Sequence, residues 1–158
     1  MDEKRSLLRH TLATLAYRAT RALEDAPQAF ANFDGAGRRP IQILAHMGDL
    51  FDWALSMANG TPAWKEIAPA GWEPTCTRFF DSLRAFDARL AGSESLACEP
   101  SVLFQGPVAD ALTHTGQLAM LRRLHGAPMK GESYNRAHVV IGRIGMEQDP
   151  PDPKYEFD

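Results

Sequence analysis

The sequence has few cysteines, no long apolar segment and little net charge. Its 158 residues include two cysteines, Cys76 and Cys98, which form no Cys-x-x-Cys motif. We therefore expect no disulfide framework. No apolar run approaches the roughly 18 residues that a membrane-spanning helix requires. The formal charge of −3 at pH 7 gives no indication of a nucleic-acid partner.

The N-terminal segment also lacks the features of a secretory signal. The stretch MDEKRSLLRHTL has no long apolar core and no cleavage site, so we expect a cytoplasmic protein with reduced cysteines. The chain has no internal repeat and no useful length of the residue alternation that is typical of strands. Its length suits one domain with a core of its own, which we expect over residues 1–158.

Apolar residues recur at helical spacing in four segments. The predicted main helices are at about 6–25, 41–58, 75–91 and 107–125. Gly106-Pro107 is expected to begin the last helix, and Gly126 to end it. A short helix is expected within 133–141, followed by an irregular tail from about residue 146. The sequence thus predicts an all-α fold, a four-helix bundle with a short extra C-terminal helix.

The fourth predicted helix carries polar side chains on its apolar face. At about 100° per residue, His114 lies about 40° and Gln117 about 20° from Asp110 on a helical wheel. An unpaired charge on a buried face is unfavourable, so this placement needs an explanation. Asp110 and His114 are either core residues hydrogen-bonded to neighbours or ligands of one metal ion. On the same wheel, Arg122 and Arg123 flank the far side.

The second predicted helix offers one further candidate. His46 lies between apolar residues on the wheel and is expected to point inward, as a hydrogen-bonded core residue or as a ligand. Asp49 and Asp52 lie further round, on the polar side. The third helix presents no inward ionisable residue that its pattern identifies. A metal site would therefore require the second and fourth helices to face each other.

His46 together with the stretch DALTHTGQLAMLRRLHG resembles the DinB/YfiT-like superfamily. The resemblance covers most of residues 6–126 in layout, although its specific motif is short. Its members are four-helix bundles that commonly bind a divalent metal through one His of the second helix and two residues of a later helix. Those two residues are usually His-x-x-x-His, followed by Gly-Gln and Leu-Arg. In this chain Asp110 stands where most members have the first of these His residues.

The resemblance implies that His46, Asp110 and His114 bind one divalent metal ion. Zinc, nickel, iron and manganese are all compatible with two imidazoles and a carboxylate. Gln117 is expected to contact a ligand from the outer shell. Three protein ligands leave a coordination position open, which is the pattern of catalytic sites.

Two classes of function follow from the resemblance. One is an enzyme in which the metal activates water or a low-molecular-weight thiol, acting as a hydrolase or thiol transferase on a small molecule. The alternative is a non-catalytic metal-binding or stress-associated bundle. We expect a homodimer, with neither nucleic acid nor membrane as a partner.

Three further side chains have open roles. Trp64 and Trp72 lie in the predicted loop of residues 61–73 and either line a pocket or pack over the end of the bundle. His138 is expected near the site without being an obligatory ligand, or else at the surface.

Overall fold

The computed structural model describes residues 2–35 and 37–158, and the fold within them is all-α with one minor β ladder. The helices are α1 (Glu3–Leu23), α2 (Pro40–Ala58), α3 (Trp72–Ala91), α4 (Pro100–Leu103) and α5 (Ala109–Leu124). A π-helical segment, Phe104–Val108, joins α4 to α5 without a break. Short 3₁₀ turns lie at Gln28–Asn32, Tyr134–Arg136 and Pro153–Tyr155.

The apolar faces of the long helices meet in one core. Phe51 of α2 lies between two rings of α3, with centroids 6.1 Å from Phe79 and 6.1 Å from Phe86. Leu12 of α1 and Leu118 of α5 are fully buried in the same cluster. This packing confirms that the 3.6-residue periodicity marks the buried faces. Among the described residues, no helix is both long and apolar enough to cross a membrane.

The expected start of the last helix is wrong. The helix begins at Pro100, which occupies the first turn, and Gly106-Pro107 lies inside it. A proline within a helix has no N–H to donate, and its ring crowds the carbonyl four residues earlier. The wider π turn of Phe104–Val108 relieves that crowding, so Pro107 does not end the helix.

The C-terminal prediction also needs correction. The expected helix within 133–141 is a single 3₁₀ turn, Tyr134–Arg136, because the β-branched run after it disfavours helix. The tail is not irregular throughout, since Glu156–Phe157 pairs antiparallel with Gly131–Glu132. This ladder lies against α1, where the Tyr17 hydroxyl donates a 2.7 Å hydrogen bond to Glu132.

Several charged side chains that the helical wheels assigned to polar faces are buried. Asp49 of α2 is buried beside Arg78, and Arg122 of α5 is buried where it donates to the carbonyls of Ala22 and Glu24 at the end of α1. The third helix does present an inward carboxylate, Asp87, which binds Arg9 through two hydrogen bonds. A wheel drawn for one helix contains no information on partners from another, and a partner is what permits burial of a charge.

Candidate metal centre

The structure brings together the three side chains that the sequence proposes as ligands. His46 lies in the second turn of α2, and Asp110 and His114 lie one turn apart at the start of α5. One ligand atom from each of the three residues lies within 4.8 Å of the other two. The group could therefore hold a metal ion, because it places two imidazole nitrogens and a carboxylate oxygen around one point.

The carboxylate of Asp110 lies between the two imidazoles. Its Oδ2 atom is 3.4 Å from Nε2 of His46, and its Oδ1 atom is 3.4 Å from Nε2 of His114. A charge-assisted hydrogen bond is shorter, at about 2.7–2.9 Å. Two ligands of a tetrahedral ion with bonds of about 2.0–2.1 Å are separated by about 3.4 Å. The two distances involve different oxygens of the carboxylate. The spacing is compatible with a shared ion, and the His46 contact is also compatible with a long hydrogen bond.

Gln117 sets the orientation of the His114 ring. Its Oε1 atom lies 2.7 Å from Nδ1 of His114. A carbonyl oxygen only accepts, so Nδ1 donates this hydrogen bond, and a neutral ring in this orientation would direct the Nε2 lone pair towards Asp110. Gln117 therefore contacts one of the three proposed ligands, and its outer-shell role stays a prediction.

The site lies at the edge of the core and opens to solvent on the Asp110 side. The side chains of His114, His46 and Asp110 are 11%, 22% and 45% exposed, respectively. The two imidazole rings are nearly perpendicular, with centroids 4.9 Å apart. Because side-chain exposure increases from His114 to Asp110, the imidazoles are partly desolvated and the carboxylate is accessible to solvent.

One of the two predicted loop tryptophans borders the site. The Trp64 ring packs against His46 with centroids 5.6 Å apart and against Trp53 at 5.8 Å. Trp72 instead begins α3 and packs edge-to-face on Phe30. Of the two alternatives left open for these side chains, Trp64 lies beside the proposed site, whereas Trp72 packs on the bundle.

A polar network that the sequence analysis missed connects the Trp64 loop to α2 and α3. Asp49 accepts a 2.7 Å hydrogen bond from Arg78 and a 3.3 Å bond from the backbone N–H of Ile67. Arg78 also donates to Asp52 and to the Ala45 carbonyl. The sequence pattern of α2 contains no signal for this network, because the partners of Asp49 lie on α3 and in the loop.

The remaining candidates lie outside this group. His138 is exposed, its Nδ1 atom is 2.5 Å from Oδ2 of Asp149, and it is not part of the group of proposed ligands. Cys76 and Cys98 are free thiols. Burial, with a smaller contribution from Glu73, raises the pKa of Cys76 to about 12, and burial also raises the pKa of Cys98. Neither thiol is activated as a nucleophile.

Comparisons with known proteins give no relative from which to transfer a role. No protein-family model, no curated protein and no solved structure matches the chain.

Proposed function

We propose that the chain is a metal-dependent enzyme built on a four-helix bundle of the DinB/YfiT-like type. His46, Asp110 and His114 bind one divalent ion in this proposal. The observation that carries it is the convergence of two Nε2 atoms on one carboxylate, at 3.4 Å each. Two helices far apart in sequence supply these atoms. Their convergence supports a shared metal ion more strongly than the one-turn spacing of Asp110 and His114 alone.

Three protein ligands leave room for a small molecule on the open side of the site. A bound divalent ion supplies Lewis-acid activation of a water or thiol and polarises a substrate oxygen. Asp110 provides the negative charge that balances part of the cation. His114 is oriented by Gln117, and such outer-shell contacts tune ligand basicity.

The nucleophile in this reaction comes from outside the chain. Cys76 and Cys98 have raised pKa values, and a neutral thiol is a poor nucleophile. Water or a low-molecular-weight thiol therefore attacks the substrate, which makes the enzyme a hydrolase or a thiol transferase. Asp110 makes the donor set harder than three imidazoles, so iron, manganese and nickel are candidates together with zinc.

One observation favours a non-catalytic alternative. Gln117 and Trp64, the hydrogen-bonding and aromatic neighbours of the ligands, cannot act as a general acid or base. A metal-binding or stress-associated bundle needs no such group. The exposure of Asp110, at 45% of its side chain, favours the enzyme, because a purely structural metal site is closed by a fourth protein ligand.

We also propose that the protein is a cytoplasmic homodimer, since two-fold dimers are the commonest soluble oligomers. Light scattering at micromolar concentration measures its mass in solution. A mass of one chain, 17.5 kDa, would exclude the dimer.

Elemental analysis of the purified protein tests the proposed site. We expect one equivalent of a divalent metal in the parent and none in His46→Ala or His114→Ala. His10→Ala and His138→Ala are matched controls because both side chains are exposed, and both should retain the metal. Parent-like binding by both ligand variants would refute the site. Thiol-transfer and hydrolysis assays of the metal-loaded and metal-free protein then separate the enzyme from the non-catalytic alternative.

A further inference from the structure

Trp64 is a large aromatic side chain at the protein surface, beside a proposed metal ligand. Its ring centroid is 5.6 Å from that of His46, with the two planes inclined at 64°. Trp53 closes the other side, perpendicular to Trp64 with centroids 5.8 Å apart. Nevertheless 43% of Trp64 is exposed to solvent, so its burial is incomplete.

Core packing does not account for the position of Trp64. Every residue of the segment 61–71 is exposed, and Trp64 lies outside the buried cluster of the core. The loop is attached to α2 by polar contacts of its backbone. Asp49 accepts from the N–H of Ile67 at 3.3 Å, and Ser56 accepts from the N–H of Ala63 at 3.0 Å. A tryptophan stabilises a fold most when it is buried, so the exposed part of this ring is available for another contact.

The distances place that exposed ring within reach of a molecule bound at the open coordination position. An ion about 2.1 Å from Nε2 of His46 lies within about 9 Å of the Trp64 centroid. A small chelating group with one ring attached spans such a distance. Ligand sites typically combine a few polar groups with aromatic walls, and the Trp53–Trp64 corner is such a wall.

We propose that Trp64 forms the wall of the substrate site and selects substrates with a flat apolar group, such as a phenyl ring, next to the metal-binding atoms. This inference rests on the proposed metal site at His46, Asp110 and His114. In this proposal Trp64 contacts the substrate directly.

A pair of chelators that differ only in the attached group tests this proposal. Acetohydroxamate and benzohydroxamate bind a metal through the same two oxygens and carry a methyl or a phenyl group. Their dissociation constants are measured on the cobalt(II)-loaded protein from the visible absorption of the metal. The preference for the phenyl group is the ratio of the acetohydroxamate to the benzohydroxamate dissociation constant. We expect this ratio to be roughly tenfold higher in the parent than in Trp64→Ala, because one aromatic contact contributes a free energy of about that size.

Two further variants sharpen the result. Trp64→Phe keeps an aromatic face and should retain part of the preference. Phe157→Ala removes an exposed aromatic side chain on the distant β ladder and should leave the preference unchanged. The acetohydroxamate affinity should be the same within about twofold in all four proteins, since only the phenyl contact differs.

The outcomes separate this inference from the function on which it rests. If the parent takes up cobalt but Trp64→Ala has the same phenyl preference, the aromatic wall is refuted and the metal site stands. If the parent gives no cobalt spectrum that depends on His46 and His114, the metal site and the wall are both refuted.

Discussion

The Nδ1 atom of His114 lies 2.7 Å from Oε1 of Gln117, one turn further along α5. In this contact Nδ1 donates to the amide oxygen, and the Nε2 atom of the ring faces Asp110. Gln117→Leu removes the contact and lets the ring rotate. We expect metal affinity to fall by roughly 10–100-fold, the usual effect of losing an outer-shell partner. Competition with a coloured chelator measures the change.

The control for this change is a glutamine with no ring partner. Gln28→Leu alters an exposed glutamine of the first 3₁₀ turn and should leave the affinity unchanged. Gln117→Glu preserves the acceptor and should retain affinity at or above that of the parent. Parent-like affinity in Gln117→Leu would mean that the ring orientation is set by something else.

Much of the helical framework could be predicted from the sequence. The buried residues Leu12, Leu83 and Leu118 lie on the predicted apolar faces of their helices. The spacing of apolar residues within one helix is enough to identify the face that it buries. The one-turn spacing within a single helix also predicted that the side chains of Asp110 and His114 lie close together. His46 came from its apolar face and the superfamily resemblance, since no spacing rule links residues on different helices.

The features that the sequence did not predict depend on contacts between elements. Asp49 can be buried because Arg78 donates a hydrogen bond to it. Arg122 can be buried because carbonyls at the end of α1 accept its hydrogen bonds. Pro107 continues a helix because a π turn accommodates it, although proline usually marks an end. The β ladder was missed because two-residue strands are too short for alternation to register.

A second prediction concerns the carboxylate of the proposed site. Asp110→Asn removes the charge but keeps the shape, so divalent metals should bind at least roughly tenfold more weakly because a neutral amide is a poorer ligand than a carboxylate. Asp110→His should retain binding and favour softer metals. The ratio of zinc to manganese affinity, from paired titrations, should therefore rise in this variant.

Asp34→Asn is the matched control, because Asp34 is an exposed carboxylate in the connection between α1 and α2. It should change neither affinity nor the zinc-to-manganese ratio. The hypothesis fails if Asp110→Asn and Asp34→Asn bind metal equally well.

A third prediction concerns the reactivity of the thiols. Burial is the main cause that raises the pKa of Cys76 to about 12, so almost none of it is thiolate at pH 8. We expect iodoacetamide to modify Cys76 at least about a hundredfold more slowly in the folded protein than in urea. Mass spectrometry of timed samples gives the rate. A modification rate in the folded protein equal to that in urea would contradict the raised pKa.

The same raised pKa of Cys76 predicts how stability depends on pH. The thiol deprotonates near pH 8.5–9 in the unfolded chain but only near pH 12 in the folded protein. Because the folded state binds the thiol proton more tightly, protonation of Cys76 contributes to the free energy of unfolding. This contribution is complete below the pKa of the unfolded chain and declines as pH rises towards 12. The free energy of unfolding should therefore fall more steeply above pH 9 in the parent than in Cys76→Ala.

The last prediction compares two helical glycines. A Cβ atom at Gly48 would lie 2.9 Å from Nη1 of Arg78, whereas one at Gly116 would have no atom within 4 Å. Arg78 donates from this position to Asp49, Asp52 and the Ala45 carbonyl. Displacing it would leave Asp49, a buried carboxylate, without its cation, which is unfavourable.

Alanine should therefore have opposite effects at the two positions. Gly116→Ala should stabilise the protein by roughly 0.5–1 kcal/mol, since alanine has the higher helix propensity. Gly48→Ala should destabilise it by about 1–2 kcal/mol, because the loss of the Arg78–Asp49 contact exceeds that gain. Urea denaturation followed by circular dichroism measures both. Equal stabilisation by the two substitutions would show that Arg78 moves aside without loss, and that Asp49 does not depend on it for burial.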